Sequence, residues 1–296
     1  MTSSAFRVTQ QTMGAQSFAN LQASLDRLQG LQERLSSGKR VQRPSDDPTS
    51  MGAALKYRTQ LARSAQYQRS IDDAQGWLGT ADTSLRNTNT LLQQVHDLVL
   101  QGMNASVGPS QRQAIASQVD EIGKSLLGVA NTTYLGRPVF GGTVAGTVAY
   151  GPAGQYVGDS VAVTRMVEEN TVVTVGFPGT QAFGSPPNDV FTALATIAAD
   201  LRSAPENLGA DLGSLEQRMQ SVLDAAGVVG AREQTLEGIR SRAQEADVSL
   251  RGSLSEAEDI DLPKALMDLN LQQAAYQAAL AATQRVIQPS LVDFLR

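Results

Sequence analysis

Apolar residues recur at intervals of three and four at both ends of the chain. Near the start these are Phe18, Leu21, Leu25, Leu28 and Leu35, with Gln32 in the one gap. Near the end they are Leu262, Leu266, Leu269, Tyr276, Leu280 and Ile287, with Gln273 and Thr283 completing the stripe. This is the seam spacing of a coiled coil. A single helix could not keep such a stripe in water, so the ends are expected to pair with each other or with other chains.

Between them lie three zones. The first, to about Tyr134, is predicted to be helical. A helix over Met13 to Ser36 stops at Ser37-Gly38, and the stretch Arg40 to Pro48 carries two prolines, which remove backbone donors and make a turn. Asp46 or Asp47 is placed to cap the next helix, with Pro48 in its first turn. That helix, Thr49 to Met103, holds strict spacing through Ile71, Ala74, Leu78, Ala81, Leu85, Thr88, Leu92, Val95 and Val99. Unbroken, roughly 55 residues at about 1.5 Å each would span roughly 80 Å. A shorter helix over Ser110 to Thr133 presents Ile115, Val119, Ile122, Leu126 and Val129 on one face.

From Arg137 to Pro187 the helical period vanishes. Val144–Tyr150, Gln155–Val157, Ser160–Val167 and Thr171–Val175 read as short strands, with turns at Gly151–Gly154 and Glu168–Asn170. Helices then return over Val190–Arg202, Asn207–Leu254 and Leu262–Phe294, with an acidic break at Ser255–Asp261. The predicted fold is mainly α with a small β insert. It is a nested hairpin of long helices, with a coiled-coil bundle built from both termini and a β-hairpin domain at the centre. The expected division is 1–45 plus 255–296, then 46–136 plus 188–254, then 137–187. An antiparallel pairing of the ends would bring Lys39–Arg43 beside Glu256–Asp261, and such solvated pairs set register more than stability.

Composition narrows the function. Hydrophobic residues are 41% but aromatic ones only 5%, which suits bundles built on Leu, Ala and Val. With no cysteine and one histidine, His96, the chain has no thiolate chemistry and no histidine-based metal site, and no cofactor is expected. A net charge of −5 argues against nucleic acid held by bulk charge. The first residues, Met1–Gln11, do not read as a secretion leader, and no stretch approaches the roughly 18 apolar residues of a membrane span. Gly123-Lys124-Ser125 matches the end of a phosphate-binding loop, but Gln118 stands where its first glycine belongs and the tripeptide sits in a helical pattern. Adjacent carboxylates such as Asp46-Asp47 and Asp72-Asp73 diverge by about 100° on a helix, so they do not converge on a substrate. The triplets at Asn104 and Asn131 match a glycosylation acceptor, a pattern too common to weigh. No catalytic constellation emerges, and an enzyme is not expected.

Leu31–Pro48, LQERLSSGKRVQRPSDDP, resembles the signature near the start of bacterial flagellins and their junction relatives. Asp72-Asp73-Ala74 and Trp77–Leu85 resemble a second run of that family, and Gln272–Arg296 resembles its terminal helix closing on FLR. These matches cover roughly the first 140 and last 110 residues. The prolines of Arg43–Pro48 and the segment Tyr134–Thr143, YLGRPVFGGT, are similar to the junction branch rather than to filament subunits. The resemblance implies a secreted structural component of the flagellum, packed in a ring between hook and filament. Its implied neighbours are the hook-side junction protein (hook-associated protein 1) and flagellin, and an export chaperone would cover the C-terminal helix. The implied assembly interface is Phe18, Leu21, Leu25, Leu28 and Leu35 against Leu266, Leu269, Tyr276, Leu280 and Ile287 and against neighbouring subunits. A short flagellin is the nearest alternative, and a secreted coiled-coil adhesin or injection-system tip protein a more distant one.

Overall fold

A computed structural model describes residues 10–144 and 146–287. The helices are α1 (Gln10–Ser37), α2 (Pro48–Gly102), α3 (Pro109–Ala130), α4 (Gly179–Phe183), α5 (Val190–Ser203), α6 (Leu208–Glu258) and α7 (Leu262–Ile287). The strands are β1 (Thr133–Tyr134), β2 (Arg137–Pro138), β3 (Thr164–Glu168) and β4 (Thr171–Thr174). The last part of the expected terminal helix, 288–294, lies outside the described residues. Two compact units result: a terminal unit of residues 1–62 and 247–296, and an inner unit of residues 63–246. Helices α2 and α6 each run from one unit into the other.

The inner unit holds most of the core. Every position of the α2 stripe from Ile71 to Val99 is fully buried, Thr88 included. Ile115, Val119 and Leu126 of α3, Leu194, Ile197 and Leu201 of α5, and Leu208, Leu215, Val222, Val229 and Leu236 of α6 close around them. Helix α5 starts where Asp189 bends the chain. The carboxylate of this buried residue accepts the Thr192 N–H at 2.8 Å and the Thr192 hydroxyl at 2.7 Å. These bonds satisfy donors that the first helical turn leaves free.

The β insert departs from the expected strands. Antiparallel pairing is confined to β1–β2 and β3–β4, with a bulge between Met166 and Glu168 and a single bridge between Tyr150 and Tyr156. Val144, residues 146–149 and Ser160–Val163 are not strands. The reason is competition for backbone donors. The Asn131 side chain, just past α3, accepts the N–H groups of Ala149 and Tyr150 (each 2.8 Å) and donates to the Tyr150 carbonyl at 2.9 Å. Asp159 accepts from the Thr143 N–H, the Thr143 hydroxyl and the Val161 N–H. A ladder cannot form where side chains already hold the donors. An aromatic cluster fills the space beneath, with the Tyr150 ring 5.2 Å from Tyr156, 5.5 Å from Phe183 and 5.0 Å from Phe191.

Trp77, on α2, joins this insert to the helices of the same unit. Its ring meets Tyr134 edge-on at 5.9 Å, and the guanidinium groups of Arg137 and Arg165 each lie 5.9 Å from its centre. Gly76 leaves room for the close approach of Tyr134, since a methyl group there would stand 2.4 Å from the tyrosine oxygen. Arg165 also pairs with Asp73 at 2.5 Å.

Replacing Asp189 by alanine should destabilise the inner unit by about 1–2 kcal/mol, the usual cost of losing an N-cap. Thermal unfolding followed by tryptophan fluorescence measures this, and an unchanged midpoint would show that the cap contributes nothing.

Candidate assembly site

Helices α1 and α7 pack against each other in the terminal unit. They run antiparallel, because the Ile260 N–H donates to the Gly38 carbonyl at 3.0 Å while Gln272, further along α7, reaches back to Ser24. Less exposed positions recur along α1 at Ser17, Leu21, Ser24, Leu28, Leu31 and Leu35 and along α7 at Ala265, Leu269, Gln272, Tyr276, Ala279 and Thr283, with Leu280 half-buried beside the last two. Both sets keep alternating intervals of three and four, so the seam is a heptad seam. It is, however, thinly filled. Small or polar side chains stand at Ser17 and Ser24 on α1 and at Ala265, Gln272, Ala279 and Thr283 on α7, and among the described side chains of both helices only Ser24 and Ala265 are buried.

The polar level fixes the alignment. The Gln272 amide nitrogen donates to the Ser24 hydroxyl at 2.9 Å and to the Ser24 carbonyl at 3.1 Å. A polar pair at a seam position specifies register at some cost in stability. Slipping by one heptad would part the pair, setting Ser24 against alanine (Ala265 or Ala279) and Gln272 against Ser17 or Leu31.

The turn between α1 and α2 clasps the far end of the seam. Gly38 ends α1 at φ +70°, a conformation that favours glycine. Arg40 donates its N–H to the Glu258 carbonyl at 2.7 Å, and Lys39 pairs its ammonium with the buried Glu258 carboxylate at 2.8 Å. Arg58 of α2 takes the other carboxylate oxygen. The charge pairing expected between Lys39–Arg43 and Glu256–Asp261 is thus present, focused on Glu258. The two adjacent aspartates divide their work. Asp47 caps α2, accepting the N–H groups of Thr49 and Ser50 and the Ser50 hydroxyl, and Asp46 folds the loop back by accepting from Gln42 and Arg43. The backbone donors of Arg43 and Gln42 hold the Asp46 carboxyl below its ordinary range, and the Ser50 hydroxyl and N–H do the same for Asp47.

The residues marked by the terminal stripes fall into two groups. Leu21, Leu28, Leu35, Leu269, Tyr276 and Leu280 are half-buried, whereas Phe18 is 65% exposed, Leu25 37% and Leu266 50%. The Ile287 side chain lies outside the described residues. The sequence stripe and the packed seam therefore share every other level and part between them. Ser17, Ser24 and Leu31 on α1 and Ala265, Gln272 and Ala279 on α7 take the intervening seam levels, while Phe18, Leu25, Leu262 and Leu266 stand outside. Met267 and Leu271 add a further exposed apolar strip on α7. Reading the stripe by hydrophobicity alone missed Ser24 and Gln272, whose signal was a polar residue placed at seam spacing.

The other sequence signals take structural places. Gly123–Ser125 lies within α3, where Lys124 pairs with Glu121 at 2.7 Å. His96 stands between Asp97 at 3.6 Å and Glu216 at 3.7 Å. Asn131 uses both ends of its amide to hold the insert. No described helix is long and apolar enough to cross a membrane.

Residues 8–145 match the bacterial flagellin N-terminal helical region. Across most of its length the chain is similar to flagellar hook-associated protein 3: 24% identical over 84% of this chain and 87% of the Escherichia coli protein. With the Salmonella typhimurium protein it is 24% identical over 92% of this chain and 94% of the relative. A Bacillus subtilis flagellin is 25% identical over 89% of this chain and 91% of its own length. Among solved structures, Bacillus cereus FlgL superposes with a TM-score of 0.61 at 23% identity, covering 68% of this chain and 99% of that one. The flagellar junction protein FlgL from Legionella pneumophila gives 0.58 at 13% identity over 70% and 100%, which establishes likeness of fold.

Two outcomes follow for the clasp. Glu258→Ala should expose α1 and α7 to limited proteolysis while leaving the inner unit intact; equal resistance to the parent chain would remove the clasp from the account. Asp46 and Asp47 have folded values below the ordinary 3.8, so their contribution is complete above that pH and is lost as pH falls through the folded values. Acid titration of the terminal unit should therefore show a loss of protection below about pH 4 that Asp46→Asn flattens.

Proposed function

We propose that this chain is a structural, non-catalytic component of the bacterial flagellum, forming the layer that joins hook to filament. The observation that carries the reading is the incomplete terminal unit. Among its described residues few are buried, Ser24, Val41, Ala54, Glu258 and Ala265, while Phe18 and Leu25 of α1 and Leu262, Leu266, Met267 and Leu271 of α7 stand in solvent. Fully burying each large apolar side chain is worth about 1.5–3 kcal/mol, less the entropy of ordering it. A subunit that leaves this many uncovered gains most of its terminal stability from neighbours.

In this reading the chain divides into the ends (1–45 plus 255–296), which pair as a coiled coil, the long helices (46–136 plus 188–254) and the insert (137–187). Seam residues Leu21, Leu28, Leu35, Leu269, Tyr276 and Leu280 close each subunit, and Phe18, Leu25 and Leu266, with Ile287, meet the next one. Copies assemble as a ring, contacting hook-associated protein 1 on one side and flagellin on the other. Before export a chaperone covers α7, whose apolar residues occur on more than one face. The similarity to hook-associated protein 3 over nearly the whole chain supports the junction over the filament.

The double variant Phe18→Asp with Leu266→Asp should keep the inner unit folded and be exported, yet cells should shed their filaments. Electron microscopy with labelled antibody reads the outcome. Junctions that still form, or label along whole filaments instead of at their base, would overturn the assignment.

A further inference from the structure

The tip of the β1–β2 hairpin carries a contradiction between backbone and side chain. Thr133 pairs with Pro138 and Tyr134 with Arg137, so Leu135 and Gly136 alone make the turn. Both stand at positive φ, +48° and +78°. Two-residue turns of this kind favour Asn-Gly or Asp-Gly, because a branched side chain is strained there. The β3–β4 turn follows that rule, with Asn170 at φ +63°. The β1–β2 turn instead holds a leucine, and it is 80% exposed, above every other large apolar residue described. Strain and solvent exposure both act against this residue within one copy, and neither is offset by a contact there. Outliers of this kind mark sites whose value lies in an interaction.

The same unit offers a receptor. A groove of about 680 Å³ runs between α2 and α3, floored by the half-buried Leu98 and Ile122 and rimmed by Gln94, Asp97, Gln118 and Glu121. Its carboxylates are solvent-facing: Asp97 lies 3.6 Å from His96, and Glu121 pairs with Lys124. Beside Leu135 the hairpin carries Arg137, also exposed. An apolar tip flanked by a cation thus matches an apolar floor flanked by carboxylates.

We propose that the Leu135 tip of one copy docks into the Leu98–Ile122 groove of a second copy. Knob and groove are different surfaces of one chain, so the contact is heterologous: each copy gives one tip and receives another, which builds rings or helices rather than closed pairs. This contact lies in the inner unit, apart from the terminal helices. It stands or falls independently of the junction assignment.

The absence of cysteine makes the test direct. Purified full-length Leu135→Cys chain is mixed with full-length Gln118→Cys chain of different tag mass and oxidised. The mixed-mass disulfide adduct should exceed by several-fold the one formed between Leu135→Cys and Asp224→Cys chains, Asp224 being an exposed position on α6. A double variant, Leu135→Cys with Gln118→Cys, should give an open ladder of multimers. An adduct no stronger than the control, or one dominated by Leu135–Leu135 linkage, overturns the proposal. Leu135→Asn addresses folding separately. Asparagine tolerates positive φ, so its thermal midpoint should hold or rise, while self-association by analytical ultracentrifugation should fall. Unchanged self-association would also overturn the proposal.

Discussion

The antiparallel seam between α1 and α7 governs everything else about this chain. It joins residues far apart in the sequence, so its closure entropy is large, yet serine, threonine, glutamine and alanine fill half of its positions. What it lacks in packing it recovers in alignment. The Ser24–Gln272 bonds fix the level of one helix against the other, and the Glu258 carboxylate, held by Lys39 and Arg58, fixes the end. The terminal unit is therefore well specified but weakly cored, the condition of a part designed to be completed by its neighbours.

The inner unit shows the opposite balance. Its long stripe on α2 is buried throughout, its helices share one core, and the insert is tied down by polar side chains rather than by a sheet. Asn131 and Asp159 each hold three hydrogen bonds to or from a short stretch of chain, and this lets a segment rich in glycine and proline keep one shape without a ladder. Buried core is thus concentrated in the inner unit, and exposed apolar side chains line both helices of the terminal seam.

Much of this was legible from residue spacing. The α2 stripe from Ile71 to Val99 predicted a buried face and is one, and the positions of Gly38, Asp47 and Pro48 marked the helix boundaries to within a residue or two. The insert was legible as non-helical, but its strands were not. Alternation of valine with polar residues over Val144–Ala149 is the signal of a strand, and nothing local reveals that Asn131 takes the donors of Ala149 and Tyr150. The terminal stripes were legible as sticky but not as divided. Three-and-four spacing permits two neighbouring registers, and choosing between them required seeing Ser24 and Gln272 meet. Leu135 was hidden for a similar reason, because the strain depends on a turn type that Leu-Gly does not advertise.

Trp77 has an optical consequence. It is the chain's single tryptophan, 1% exposed, edge-on to Tyr134 and flanked by the guanidinium groups of Arg137 and Arg165. Tryptophan emission from this protein therefore reports one place only, the seat of the insert on α2. Light absorbed there is blind to the terminal helices: they can pair, unpair or join a neighbour while the spectrum of the inner unit stands still. A subunit built this way carries a built-in reference signal for its own folded body, against which any change at its ends must be read by other means.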